Sequence, residues 1–220
     1  MTEAPRQPEP AARKTRWPAR PSFGWALVVE IAFGGLGFLL AWFCGFRLLD
    51  QFRGSLHSWL VALVAVLPLL GLYVLVRRSS WPVLRELTRL LEREIRPMFE
   101  TWSWWQLVLV AMAAGAGEEL LFRGFFQTWG TFGWGALGGI ALASVLFGMA
   151  HPISFTYAAV VALIGAYLGW LKYWTNDLGV PMIVHALYDG IVLQWLVRGF
   201  PRMGPAESAG GERAAERAAL

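Results

Sequence analysis

The feature that most constrains this chain is its long apolar runs. Six of them, at about Phe23 to Phe46, Ser58 to Val76, Trp104 to Phe126, Trp134 to Ala150, Phe155 to Leu171 and Val180 to Val197, stand out. Each is near the ~20 residues a helix needs to cross ~30 Å of hydrocarbon. Inside a bilayer a single segment must satisfy its own backbone hydrogen bonds, which a helix does. The composition agrees: 56% of the 220 residues are hydrophobic and 15% charged. The expected fold is therefore all-α, a polytopic membrane helical bundle of about six transmembrane helices.

Tryptophans gather near the ends of these runs, at Trp25, Trp42, Trp59, Trp81, Trp104, Trp105, Trp129, Trp134, Trp170 and Trp174. That placement suits the interfacial belt, where amphipathic rings settle. The spacings Gly135 to Gly139 and Gly165 to Gly169 suit close helix packing. The first run is too long for a signal-peptide core and contains Glu30, so it is expected to be a retained anchor helix. Cys44 is the single cysteine, which leaves no partner for an internal disulfide.

Residues 1–22 and 198–220 are Pro, Ala, Arg and Glu rich and are expected to be mobile tails. Between them, residues 23–103 hold two spans and a connecting segment, and residues 104–197 hold the remaining spans as a core. The N-terminal tail carries five Lys or Arg, the segment from Arg77 to Arg96 six, and the C-terminal tail four; turns 47–57 and 172–179 carry three between them. With six spans the basic segments fall on one side, so both termini are expected in the cytoplasm, with the plasma membrane as the location. Basic residues at membrane edges attract anionic lipid, so the net charge of +4 calls for membrane lipids as partners and no nucleic acid.

"PVLRELTRLLEREIRPMFE" alternates apolar residues at helical spacing with Arg and Glu. It reads as an amphipathic helix along the cytoplasmic interface, with a solvated connecting helix as the plainer alternative.

Against this apolar background, "GAGEELLFRGFFQTW" sets Glu118, Glu119 and Arg123 within one run. A charge near the middle of a membrane helix costs roughly 2.5 to 3.5 kcal/mol unless it meets a partner or water. Glu119 and Arg123 stand four apart, acid first, which suits an ion pair. Glu118 points elsewhere and needs other partners. "FGMAH" supplies His151 one turn after Phe147, and "HALYD" places His185 and Asp189 one turn apart; His57 falls in a loop. Each of these groups alone has an ordinary structural reading, but six of them on three helices are best accommodated around one hydrated cavity.

Charge counting gives three carboxylates against Arg123 alone. Two protonated histidines, or one divalent metal such as zinc held by neutral histidines, would close the balance, and the count does not choose between them. Such a cluster suits water activation: a carboxylate takes a proton from water, and histidines share it or stabilise an oxyanion. Straight spans would set His151 and His185 at different depths. A buried break at "HPISF" or strong tilt would bring both within about 10 Å of Glu118.

"EELLFR", "FGMAH" and "HALYD", in this order and about 30 residues apart, resemble the three motifs of the CAAX protease and bacteriocin-processing family. That family of intramembrane proteases includes the type II CAAX prenyl endopeptidases and the Abi proteins. The resemblance extends over residues about 104 to 197. It implies an endopeptidase acting on a peptide or lipidated-protein substrate, with Glu118 as the catalytic base and His151 assisting. It further implies that Glu119 and Arg123 support the site while His185 and Asp189 position or polarise the scissile carbonyl. Asp189 stands where many members carry Asn, and an Asp there orients His185 or changes the working pH. The metal-free glutamate mechanism ranks above a metalloprotease with Glu118, His151 and His185 as ligands, so no cofactor is expected. Two other classes keep similar residues: a proton-coupled transporter, whose path would include Glu30, and a non-proteolytic scaffold or bacteriocin-immunity protein.

Overall fold

The computed structural model describes residues 21–199, and the expected tails lie almost wholly outside them. All the regular structure described is helical. The elements are α1 (Phe23–Phe43), α2 (Leu56–Arg78), α3 (Pro82–Leu90), α4 (Arg96–Phe99), α5 (Trp104–Glu119), α6 (Thr128–Met149), α7 (Phe155–Thr175) and α8 (Gly179–Arg198). Serines start several of them. Ser22, Ser55 and Ser154 accept from the N–H of Trp25, Ser58 and Tyr157 at 3.1 to 3.2 Å, and Ser103 forms a capping box with Gln106. The Ser55 cap starts α2 at Leu56, so His57 lies in the first turn of a helix and not in a loop.

Five helices among the described residues are long and apolar enough to cross a membrane, where six were expected. The difference lies at one residue. Spans three and four run together as one element, Trp104–Met149, through a π-helical stretch at Leu120–Gln127. That element folds back on itself at Gly135, whose φ of 71° and ψ of 178° interrupt the helix. A positive φ of this kind is open to glycine at little cost. The two legs then pack so closely that a methyl at Gly130 would lie 3.0 Å from the Cα of Gly139. The chain is an all-α membrane bundle and an integral membrane protein. All ten tryptophans assigned to the interfacial belt are exposed.

The segment after α2 is amphipathic, as expected, but π-helical turns at Leu91–Ile95 separate α3 from α4. Its apolar face, including the buried Leu87 and Ile95, packs on the bundle. Its polar face carries Glu92, which pairs with Arg77 at the end of α2 and with Arg96 at 3.1 Å. On the opposite side of the bundle, the loop after α1 meets the loop before α8. Arg53 N–H donates to Asp177 at 3.2 Å and Leu178 N–H to the Gln51 carbonyl at 2.8 Å.

Candidate active site

Two glycines explain how three helices converge on the acidic pair. In "GAGEE", a methyl at Gly115 would lie 2.7 Å from the backbone N of Ala186 in α8, and one at Gly117 only 2.0 Å from the Glu30 carbonyl oxygen in α1. Any larger residue would push a neighbour away. Their absence of side chains lets α8 and α1 close on α5 immediately before Glu118, bringing His185 and Glu30 to it.

Glu118, Glu119, Arg123 and His185 are all buried, Glu119 and Arg123 completely. Arg123 Nη1 donates to Glu119 Oε1 at 2.7 Å, the pair expected from their spacing. Arg123 Nη2 donates to the Gly165 carbonyl at 3.0 Å, and the guanidinium lies 4.3 Å from the centre of the Phe147 ring. The same Glu119 oxygen also faces His185 Nδ1 at 2.9 Å. This directs the other ring nitrogen, Nε2, toward Asp189 Oδ2 at 3.4 Å and Glu118 Oε2 at 3.9 Å. Glu118 Oε2 is buried without a protein hydrogen-bond partner.

The π-helical stretch that carries Arg123 is fastened from outside. Wide turns loosen the ordinary backbone ladder, and such turns recur at functional sites. Lys172 Nζ donates to the Arg123 carbonyl at 2.6 Å and to Thr128 Oγ1 at 2.7 Å. Gln51 donates to the Gly124 carbonyl at 3.1 Å, and Gln127 to the Gly169 carbonyl at 2.9 Å. Gly165 and Gly169 thus offer carbonyls to polar side chains, which adds a role to the packing expected of them. Lys172 and Gln127 were not singled out from sequence, although both are polar residues inside apolar helices.

His151 follows α6, its Nδ1 2.8 Å from the Phe147 carbonyl. Phe147 stands between the histidines, its ring centroid 5.0 Å from His151 and 5.7 Å from His185. Both histidines thus contact one ring and line one cavity. Gln51, in the loop after α1, reaches Gly124 and Thr128.

A cavity of about 300 Å³ joins these groups. Glu30, Glu118, His151, His185 and Asp189 line its polar part, with Tyr157 and Tyr188 beside them. From there it extends along Leu69, Val76, Leu87, Leu91, Ile95 and Met98, between α2, α3 and α4. Glu119 and Arg123 stand behind this wall. Among the described residues, no three His, Cys, Asp or Glu side chains are grouped as a metal site requires. His185 Nδ1 faces Glu119 and His151 Nδ1 faces a backbone carbonyl, which leaves Nε2 of each ring free of these bonds.

Residues 100–191 match the family model described as type II CAAX prenyl endopeptidase Rce1-like. Over those residues the chain is similar to that family. The matched segment runs from the end of α4 into α8 and contains the three motifs and the hairpin, while α1, α2 and α3 lie outside it. The matched model is one of CAAX prenyl endopeptidases, and the likeness lies in the helices that carry the cluster. No curated protein and no solved structure gives a significant match.

Proposed function

We propose that the protein is an intramembrane endopeptidase in which Glu118 activates water to cleave a peptide bond of a membrane-associated or lipidated substrate. The observation that carries this reading is the orientation of His185. Glu119, held by Arg123, takes Nδ1, and Nε2 therefore faces Glu118 at 3.9 Å across the cavity wall.

In this mechanism Glu118 Oε2, unpartnered and buried, takes a proton from a water in the cavity, and His151 shares in holding that water. The water oxygen adds to the scissile carbonyl carbon. His185, oriented by Glu119 on one side and Asp189 on the other, stabilises the oxyanion through Nε2. The C–N bond breaks as Glu118 returns the proton to the departing amine. Glu119 and Arg123 support the site without touching the substrate. No step is routed through a metal, and a chelator is expected to leave the rate unchanged.

The apolar part of the cavity supports a membrane-associated or lipidated substrate, because its walls favour hydrocarbon over a polar chain. It lies on the side of α3 and α4, the side of the basic segments, so with both termini cytoplasmic the substrate arrives from the cytoplasmic leaflet. The plasma membrane is the proposed location. The test is cleavage of lipidated and unlipidated peptides by purified protein in liposomes, with Glu118→Gln as the inactive control.

A further inference from the structure

Glu30 takes no part in the mechanism above and lies outside residues 100–191, so the family match assigns it nothing. It is the single charged side chain of α1. The close approach at Gly117 fixes α1 against α5 at Glu30 itself, one residue from Glu118. Its carboxyl lines the same cavity as Glu118, and Oε2 of each is buried without a protein hydrogen-bond partner.

The nearby cations are engaged elsewhere. Arg123 is taken up by Glu119 and Gly165, and Lys172 by the Arg123 carbonyl and Thr128. The cavity therefore holds three carboxyl groups, Glu30, Glu118 and Asp189, against two imidazoles, His151 and His185. Even with both imidazoles protonated, the three acids cannot all ionise without leaving uncompensated charge in a site of low dielectric. Carboxyl groups that share such a site keep a proton between them and titrate as a unit.

Resting on the peptidase reading, we propose that Glu30 is a positioning residue of this site: it shares one proton with Glu118, and the loss of that shared proton sets the pH above which Glu118 works as the base. The proton taken from water travels on Glu118 to the leaving amine, so the reaction gains and loses none. The titratable groups that line the cavity with Glu30 are Glu118 from α5, His151 from the α6–α7 connection, Tyr157 from α7, His185, Tyr188 and Asp189 from α8, and Tyr73 from α2. Glu119 and Arg123 lie behind them.

The test is the pH profile of kcat/KM for peptide cleavage in liposomes over about pH 5 to 9, comparing wild type, Glu30→Gln, Glu30→Met, Glu30→Asp and Glu118→Gln. Removing one of two like-charged groups makes the other easier to ionise. The acidic limb in Glu30→Gln and Glu30→Met therefore moves to lower pH by about one unit, roughly tenfold in rate below the limb. Glu30→Asp keeps the wild-type limb. Because the Gln and Met variants replace an ionisable group in an apolar helix with a neutral one, folding tolerates at least one of them. An unmoved limb in both, or a uniform loss of rate at every pH, overturns the proposal while Glu118→Gln is inactive. Cleavage by Glu118→Gln instead overturns the peptidase reading on which it rests.

Discussion

Glu119 Oε1 lies 2.7 Å from Arg123 Nη1 and 2.9 Å from His185 Nδ1, so one carboxylate oxygen ties a motif on α5 to a motif on α8. The bond to Arg123 holds Glu119, and Glu119 holds the imidazole whose other nitrogen faces Glu118. Loss of Arg123 strands a fully buried carboxylate. Arg123→Ala should lose about 3 to 5 kcal/mol of stability, measured by thermal or denaturant unfolding in detergent. Arg123→Lys keeps a charge but not the fork that also reaches Gly165. It should lower kcat on the order of 10²-fold with KM little changed.

The close approaches at Gly115 and Gly117 make both positions intolerant of a methyl. Gly117→Ala drives a carbon into the Glu30 carbonyl and Gly115→Ala into the backbone of Ala186. Each should destabilise by about 1 to 3 kcal/mol, while Gly35→Ala, with open space around it, should be nearly neutral. Parallel melting curves of the three variants check this.

The loop before α8 gives a pH dependence with a defined sign. Burial opposes the charge on Asp177, but hydrogen bonds from the Ser58 side chain and the N–H groups of Gly179, Arg53 and Gly54 hold its carboxyl below the usual range. A depressed carboxylate contributes stability that is present above its unfolded value, ~3.9, and lost as pH falls through the folded value. Asp177→Ala should therefore cost about 1 to 3 kcal/mol near pH 7. The gap from wild type should narrow below about pH 4. Unfolding midpoints at neutral and acid pH are the measurement.

Filling the apolar part of the cavity should affect binding before chemistry. Leu87→Trp adds bulk to the wall contributed by α3, far along the cavity from Glu118. For a lipidated peptide KM should rise about tenfold with kcat within twofold, and for a short unlipidated peptide both should stay near wild type. Steady-state kinetics on the two substrates make the comparison.

Much of the bundle was legible in the sequence because apolar run length and tryptophan placement follow directly from the bilayer. The hairpin was not legible as a continuous element: Gly135 turns the chain within a helix, with no polar linker to mark a boundary. In the site, the spacing of Glu119 and Arg123 gave their ion pair. That same spacing hid the second partner of Glu119, since His185 arrives from a helix 66 residues later and local periodicity says nothing of it. Glu30 was visible as a lone acid in an apolar run. The signal that joins it to Glu118 is the glycine at 117, because a residue without a side chain marks where another helix comes close.

The most direct measurement is cleavage of a lipidated peptide by the purified full-length protein in liposomes, with products identified by mass spectrometry, beside Glu118→Gln, which keeps the shape of the side chain and removes its basicity. If Glu118 is the base, wild type yields new termini at one peptide bond, while the variant folds with an unchanged melting temperature and its rate falls by at least about 10³-fold. A folded Glu118→Gln that cleaves at a rate close to wild type would contradict it.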